Sequence, residues 1–549
     1  MGRSNLFDHL RRSLRTAFHA DRENISSTEA LSREEAARAY SRRDVLAAAG
    51  RVAVIGAAGS ILGSSGCLPE AEGQGSSQSL SSTAQIAIVG AGMAGLGCAY
   101  TLRGKGVTST VYEANRRVGG RQFSLGGAFA GPTEFPGQVV ERGGELIDNP
   151  HKTIIGWART FGLKLENYLR NEGETFYFFD GVRHPEATVV DEFRDLVAAM
   201  HDDLRTVGSP TAEVHTDADA VLDHMNLREY LLTRGASPVI RQAIEAAYIA
   251  EFGLEIEEQS ALGFLLFVHT DRRSRFLPFG IFSDERYHVV GGNQQIAEGL
   301  ATRLPDQLRL GHELQAVRKT PGGRIELSFQ TDDGPVTRGF DAVVLALPFS
   351  VLRNVDLDDS LDLPPWKRLA IDELRYGTNA KMMVGFDGRP WASLGSNGGS
   401  YSLLPNHQTT WETNWTGATP TRAVLTDYSG GTRGAGLDPA HADAACERWL
   451  SDLDRVFPGA RAVASRDAKG RPRVHLEHWP SNPLTLGSYT ANHPGYFTTI
   501  ADLEGKPVGN LFFAGEHTSS FYEWQGFMEG GALSGVRAAS EILAAMKKK

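Results

Sequence analysis

The sequence predicts an α/β protein, and two stretches near opposite ends of the chain carry that prediction. Early on, the apolar run Ile86–Val89 leads into a glycine-rich turn, a helix-like segment ending near Gly106 and a second apolar run, Ser109–Tyr112. Late on, the run Leu511–Ala514 gives way to Gly515, Glu516, a short loop and a helix-like segment from about Glu529. Short apolar runs without alternation suit strands covered on both faces, as in a parallel sheet flanked by helices. With 549 residues and 41% hydrophobic composition, the chain can bury a large core and divide into two or three domains.

In chain order, the first element is a leader. Ser41, Arg42, Arg43, Asp44, Val45 and Leu46 open a run, Val45 to Leu62, that is mostly Ala, Gly and Val and is broken by Arg51. A membrane span needs about twenty strongly apolar residues, so this run reads poorly as one. It resembles the twin-arginine export signal of bacteria, an address read by a receptor. That route carries folded proteins with cofactor already inserted, and it places the protein in the periplasm or outside the cell. The alternative is an ordinary helix after a charged segment, Met1–Tyr40. Ser64, Ser65, Gly66 and Cys67 weakly resemble a lipid-attachment site, although Ser64 stands where an aliphatic residue is usual. Residues 70–83, rich in Ser, Gly and Gln, form a linker, and the folded part is expected to begin near Ala84.

Composition narrows the classes. The net charge is −10, and the only basic run is Lys547–Lys549, so nothing favours a nucleic-acid partner. The three cysteines, Cys67, Cys98 and Cys446, are too few for a disulfide framework and lack metal-site spacing. No metal is expected.

The first chemical motif is the turn itself. Gly90, Gly92, Ala94 and Gly95 stand between the first strand and its helix, and Glu113 ends the second strand. Glycines allow a tight turn and a close approach of backbone to a pyrophosphate at the helix N-terminus, while an acid about twenty residues on bonds a ribose hydroxyl. Strand, loop, helix and acid together define a Rossmann-like dinucleotide site.

The residues after Glu113 separate FAD from NAD. Arg117, Gly119, Gly120 and Arg121, then Gly143 and Gly144 in "VVERGGELIDNPH", then "FFAGEHTSSFYEWQGFMEGG" resemble the flavin-containing amine oxidase family. The resemblance extends over essentially the whole chain after residue 84. It implies noncovalent FAD, with Arg121 and the second glycine pair near the flavin, Glu516 on the ribityl chain, and the helix from Met528, Glu529 and Gly530 aimed at the flavin pyrimidine. A helix N-terminus carries about half a positive charge and stabilises an anionic reduced flavin. "HVVGGNQQIAEGLATRL" and the strands after it resemble the family's middle FAD segment, with Val317 on the adenine side. The FAD-binding domain is therefore expected to be discontinuous, formed by 84–150, 285–350 and 485–549. A mixed α+β substrate domain is expected from 151–284 and 351–484, with 1–83 as leader and linker.

For catalysis, Lys381 in "YGTNAKMMVGF" matches the family lysine that holds a water against flavin N5 and assists reaction with oxygen; the alternative is a solvated strand lysine. Phe527 matches one ring of an aromatic pair that frames the amine, and Trp524 lies nearby. Leu484 is expected where the second ring would stand, with Tyr489 read as packing, and Ser488 replaces the cysteine that some members bond to flavin. Glu145 either attracts a cationic amine or bonds backbone at a turn. Leu146 stands where venom-type L-amino-acid oxidases carry a carboxylate-binding arginine; Arg234, Arg241, Arg272, Arg273 or Arg275 are candidates to replace it. His475 and His478 are read as structural.

The expected activity is oxidation of a primary or secondary amine through hydride transfer to flavin, with imine hydrolysis and hydrogen peroxide as by-product. An L-amino-acid oxidase or dehydrogenase of the same fold is the second reading, and a non-catalytic flavin-binding envelope protein the third. The sequence does not distinguish oxygen from another electron acceptor, nor one oligomeric state from another.

Overall fold

The structure, a computed structural model, describes residues 80–547 apart from 130–134, 136, 169–170, 270–285, 414–418 and 420, together with Ala20, Ile25, Ser26 and Glu29. The twin-arginine segment and Cys67 lie outside the described residues.

The sheet expected from the two apolar runs is present, with five parallel strands in the order 511–513, 342–345, 86–89, 109–113 and 308–310. Its central strands, IAIV and AVVL, are buried at every position, because helices cover both faces and no alternation is required. Strands far apart in sequence thus become neighbours: Val343 to Leu345 pair with Leu511 to Phe513. The helix Met93–Gly104 packs against the C-terminal helix Met528–Lys547. Gly535 permits this contact, since a Cβ there would stand 2.2 Å from the Ala94 carbonyl oxygen.

A smaller sheet, ordered 334–340, 325–331, 313–319 and 356–357, packs beside the first through Tyr112 and Phe329, whose rings stack at 4.5 Å.

A seven-stranded mixed sheet forms the other half, ordered 474–478, 380–386, 423–429, 407–413, 396–404, 174–179 and 182–184. Strand alternation sorts its faces. Met382, Val384 and Phe386 join the hydrophobic cluster that contains Trp449 and Leu453 of the helix Ala442–Val456, while Lys381 and Met383 point to the opposite side. Two long helices, Glu186–Thr206 and Pro238–Phe252, belong to the same half. The second starts at a Ser237 cap whose hydroxyl accepts from the Ile240 amide, and stops at Gly253 with φ of +70°, the left-handed conformation glycine adopts without strain. Among the described residues, no helix is long and apolar enough to cross a membrane.

Candidate functional site

At the C-terminal ends of the parallel strands lies a cavity of about 400 Å³, where ligands bind in open α/β sheets. Its walls come from the glycine turn, Glu113, Arg121 and the segment Gly515–Gly531. The three glycines divide between two jobs. At Gly90, with φ of +105°, a Cβ would meet the Ala346 oxygen at 2.6 Å, and at Gly95 it would meet the Gly90 oxygen at 1.9 Å. At Gly92 a Cβ would meet nothing within 4 Å. Two glycines therefore serve packing, while the middle one opens onto the cavity; Ala94 lines it as well.

Glu113 closes the motif. Its carboxylate accepts from the Ala91 amide at 2.7 Å and the Asn115 amide at 2.8 Å, leaving a lone pair on each oxygen for a ribose. Burial raises its pKa, and these two backbone donors oppose the rise. On the same wall the buried side-chain oxygen Oε1 of Gln122 has no hydrogen-bond partner. An orphaned acceptor, an open glycine and a helix N-terminus fit a dinucleotide such as FAD.

Arg121 and Glu516 join distant parts of the chain. Arg121 donates to Glu516 at 2.8 Å and to the Ser488 carbonyl at 2.7 Å, and Glu516 also accepts from Thr490 and from the Gly526 amide, each at 2.9 Å. Met528 lines the cavity, whereas the Glu529 side chain turns away from it. That carboxylate accepts from the Thr153 and Ile154 amides at 2.8 and 2.9 Å, satisfying free donors at the start of the helix Lys152–Thr160. Gly530 lets the Trp524 carbonyl pack over the helix, 2.1 Å from where a Cβ would stand. Val317 is fully buried, paired with Leu327 and Leu357; three residues earlier, Leu314 forms the cavity wall.

The ring pair also differs from expectation. Phe527 lines the cavity, and so does Tyr489, together with Leu484. Tyr489 receives a bond from the Tyr428 hydroxyl at 3.2 Å and donates to the Glu251 carbonyl. Trp524 is absent from the cavity wall; its ring packs edge-on against Phe527 at 5.5 Å and His151 at 4.6 Å, and so supports Phe527 from behind.

Gly143 and Gly144 run against Arg121: a Cβ on Gly143 would stand 1.7 Å from the Arg121 oxygen, and the Gly144 amide donates to that oxygen at 3.1 Å. Behind them sits Lys381, only 2% exposed, so it is not a solvated strand lysine. Its ammonium donates to Glu145 Oε2 at 2.6 Å, the Glu141 carbonyl at 2.7 Å and the Gly143 carbonyl at 3.3 Å. Glu145 accepts from the Trp411 indole at 3.0 Å through its other oxygen. The Glu145 carboxylate is thus the partner of a lysine and a tryptophan, a role different from either of the two expected ones.

Sequence reasoning missed Trp411, Leu314, Gln122 and Asn293. Asn293 donates from Nδ2 to the Gly144 and Glu145 carbonyls at 3.0 and 2.6 Å, and its amide donates to Glu141 at 2.8 Å. A polar residue after Gly291–Gly292 at a helix start was the one local cue. Burial pushes Glu141 up to about 7, against the bonds from Asn293 and Ser124. Its protonated form is favoured in the folded state, so its contribution to stability is complete below the unfolded value near 4.5 and is lost as pH rises through 7. Glu141→Gln removes that titration. The stability difference between variant and wild type, from urea melts, should shift by about 3 kcal/mol in the variant's favour between pH 4.5 and 7.

The remaining candidates lie elsewhere. Arg234 grips Asp203 with two bonds at 2.7 and 3.0 Å, and Arg241 lies on a separate cavity beside Arg228; neither reaches the cavity beside the glycine turn. Arg272, Arg273 and Arg275 lie outside the described residues. His475 bonds Glu477, and His478 bonds Ser481 and the Gly434 carbonyl. No cluster among the described residues could hold a metal ion.

The parallel sheet and its glycine-lined cavity define a dinucleotide-binding protein, and comparison with known proteins specifies the kind. Residues 93–543 match the family of flavin containing amine oxidoreductases, and the chain belongs to that family. It is an FAD-dependent amine oxidase enzyme. Among its relatives, the flavin-containing amine oxidase of Danio rerio is 25% identical over 84% of this chain and 86% of its own. An L-amino-acid oxidase of Pseudechis australis is 22% identical over 86% and 89%. Among solved structures, a putrescine oxidase bound to putrescine superposes with a TM-score of 0.68 at 22% identity, over 84% of this chain and 99% of that one. Cyclohexylamine oxidase from Brevibacterium oxydans IH-35A gives 0.69 at 21% identity, over 85% and 100%. These two share the fold.

Proposed function

We propose that the protein oxidises a primary or secondary amine that carries no carboxylate to be clamped. One observation carries this choice over an amino acid. Leu146 is buried, and the only arginines that line the cavity among the described residues are Arg117 and Arg121. Arg121 is committed to Glu516 and the Ser488 carbonyl, and Arg117 donates to the carbonyls of Val118 and Gly120. Arg121 thus already has a carboxylate partner and Arg117 turns both terminal nitrogens to backbone, so neither is an unpartnered guanidinium for a substrate carboxylate.

When bound, FAD accepts a hydride from the carbon beside the amine and passes two electrons on to oxygen. The chain supplies position and a dry site. Phe527 and Tyr489 line the cavity that would receive the amine, and two hydrogen bonds on the Tyr489 hydroxyl hold its ring in place. The amine reacts neutral; it loses hydride and a proton, and water converts the resulting imine to aldehyde and ammonia or a smaller amine.

Anaerobic addition of monoamines, diamines and L-amino acids, followed at the flavin band, tests the reading. Bleaching by amines, with colour restored by air, is expected. Bleaching by L-amino acids alone would replace it with the second reading.

The cofactor is held without a covalent bond in this proposal, because Ser488 offers a hydroxyl already donating to Asn379 at 2.5 Å. Acid precipitation should therefore leave all the yellow colour in the supernatant; colour retained in the pellet would refute this. Export through the twin-arginine leader completes the proposal, and replacing Arg42 and Arg43 by lysine should retain the protein in the cytoplasm.

A further inference from the structure

We infer that Glu145 is a positioning residue that holds Lys381 as an ammonium and thereby sets how the reduced cofactor reacts with oxygen. The inference rests on the oxidase reading above.

Hydrogen counting comes first. Lys381 Nζ has three oxygen acceptors, at 2.6, 2.7 and 3.3 Å. An ammonium has three hydrogens and no lone pair, whereas a neutral amine has two hydrogens and would turn its lone pair on an oxygen. With Glu145 ionised and able only to accept, the arrangement therefore requires the charged form. All three hydrogens are directed at protein oxygens.

Burial supplies the reason for the carboxylate. The side chains of Lys381 and Glu145 are 3% and 4% exposed, and a charge at such depth must be paired. Glu145 cannot swing away from this duty. Trp411 holds its second oxygen, and Asn293 holds its backbone carbonyl. The pair also lies close behind the cofactor cavity: Lys381 bonds the Gly143 carbonyl, Gly143 packs on the Arg121 oxygen, and Arg121 lines the wall.

Other titratable groups surround the pair. Glu141 presents its backbone to the lysine and has its carboxyl bonded to Ser124 and Asn293. His288 lies behind, paired with Glu166. On the neighbouring strands Tyr428 and Glu477 stand opposite Lys381 in register, with Asp427 bound by Arg433, and Glu477 bound by Arg142 and near His475. Arg121 is paired with Glu516. Among the described residues, Glu145 is the one carboxylate bonded to the ammonium itself.

Without that carboxylate, burial drives the lysine toward its neutral form. The test uses holoenzyme reduced with dithionite, so that no amine substrate is needed, then mixed with oxygenated buffer between pH 6 and 10. Wild type, Glu145→Gln, Lys381→Met and the double variant are compared, along with cofactor midpoint potentials over the same range. We expect the wild-type rate to be level across this range, and Glu145→Gln to lose tenfold or more of its rate as pH rises. Lys381→Met should be slow throughout, and adding Glu145→Gln should change it no further, the non-additivity of groups acting together. The midpoint potential of Glu145→Gln should rise at low pH and gain a break at the same pH as the rate.

An unchanged pH profile in Glu145→Gln, or additive losses in the double variant, would overturn the inference. If reduced wild type ignores oxygen but is reoxidised by a quinone, the oxidase reading fails instead, and the break in midpoint potential decides the inference alone. Should Glu145→Gln not retain cofactor, Glu145→Asp, which draws the charge back by one methylene, should bring a break in rate and midpoint potential into the range up to pH 10; no break would count against the inference.

Discussion

Gly92→Val should yield a folded protein that has lost its yellow cofactor, while Gly95→Val, three residues on, should fail to fold. The two glycines belong to one motif but face different neighbours. A Cβ at Gly92 meets no protein atom within 4 Å, and the residue has an ordinary φ of −76°. The valine side chain therefore fits the folded chain and projects into space that a pyrophosphate must approach. Overpacking of that kind costs about 2–3 kcal/mol, which is on the order of a 100-fold loss of FAD affinity. At Gly95 the added carbon would lie 1.9 Å from the Gly90 oxygen and 3.2 Å from Ile88. Backbone would have to move between the first strand and its helix, a cost of more than about 3 kcal/mol. Far-UV circular dichroism with flavin absorbance separates the cases. A Gly92→Val protein as yellow as wild type would mean that the cofactor does not approach this turn.

That contrast marks how far the sequence is legible. The strand, glycine turn, helix and acid are consecutive in the chain, so local order dictates local structure and the roles of Gly90, Gly92 and Gly95 come from spacing. Lys381 shows the first failure. Alternation along a strand tells which residues share a face, but it does not tell what covers that face. The run "AKMMVGF" holds the cue, since a lysine among apolar residues at every neighbouring position marks a strand buried on both sides. Its partner is beyond reach: Glu145 lies 236 positions away, and only the folded chain brings the strand under the second glycine pair. Val317 illustrates a smaller limit. The strand is legible, yet the point at which it meets the cavity depends on how two sheets pack, and that point is Leu314. Tyr489 reads as packing because a ring in an apolar context is ordinarily core; it is core, and it is also cavity wall.

Glu516→Ala should destabilise the folded protein strongly, with loss of about 3–5 kcal/mol. Glu516 is buried and accepts from Arg121, Thr490 and the Gly526 amide. Those donors come from the first glycine-rich segment, the strand after Ser488 and the loop before the last helix, so one carboxylate holds together three parts of the chain that also line the cavity. Removing it leaves a guanidinium without its ion-pair partner in low dielectric and orphans two further donors, and the penalty for unpaired groups exceeds what the bonds contribute when made. Glu516→Gln keeps one acceptor oxygen but turns an amide nitrogen toward a donor, and should cost about 1–3 kcal/mol. Arg121→Met alone strands the carboxylate in the same way. Combining Arg121→Met with Glu516→Gln removes both charges at once, so the pair should cost less than the sum of its parts, by an interaction energy of about 1–3 kcal/mol. Urea melts of the four proteins measure that cycle, and strict additivity would show that the two charges stabilise the fold independently, with the join between the segments resting on the backbone bonds alone.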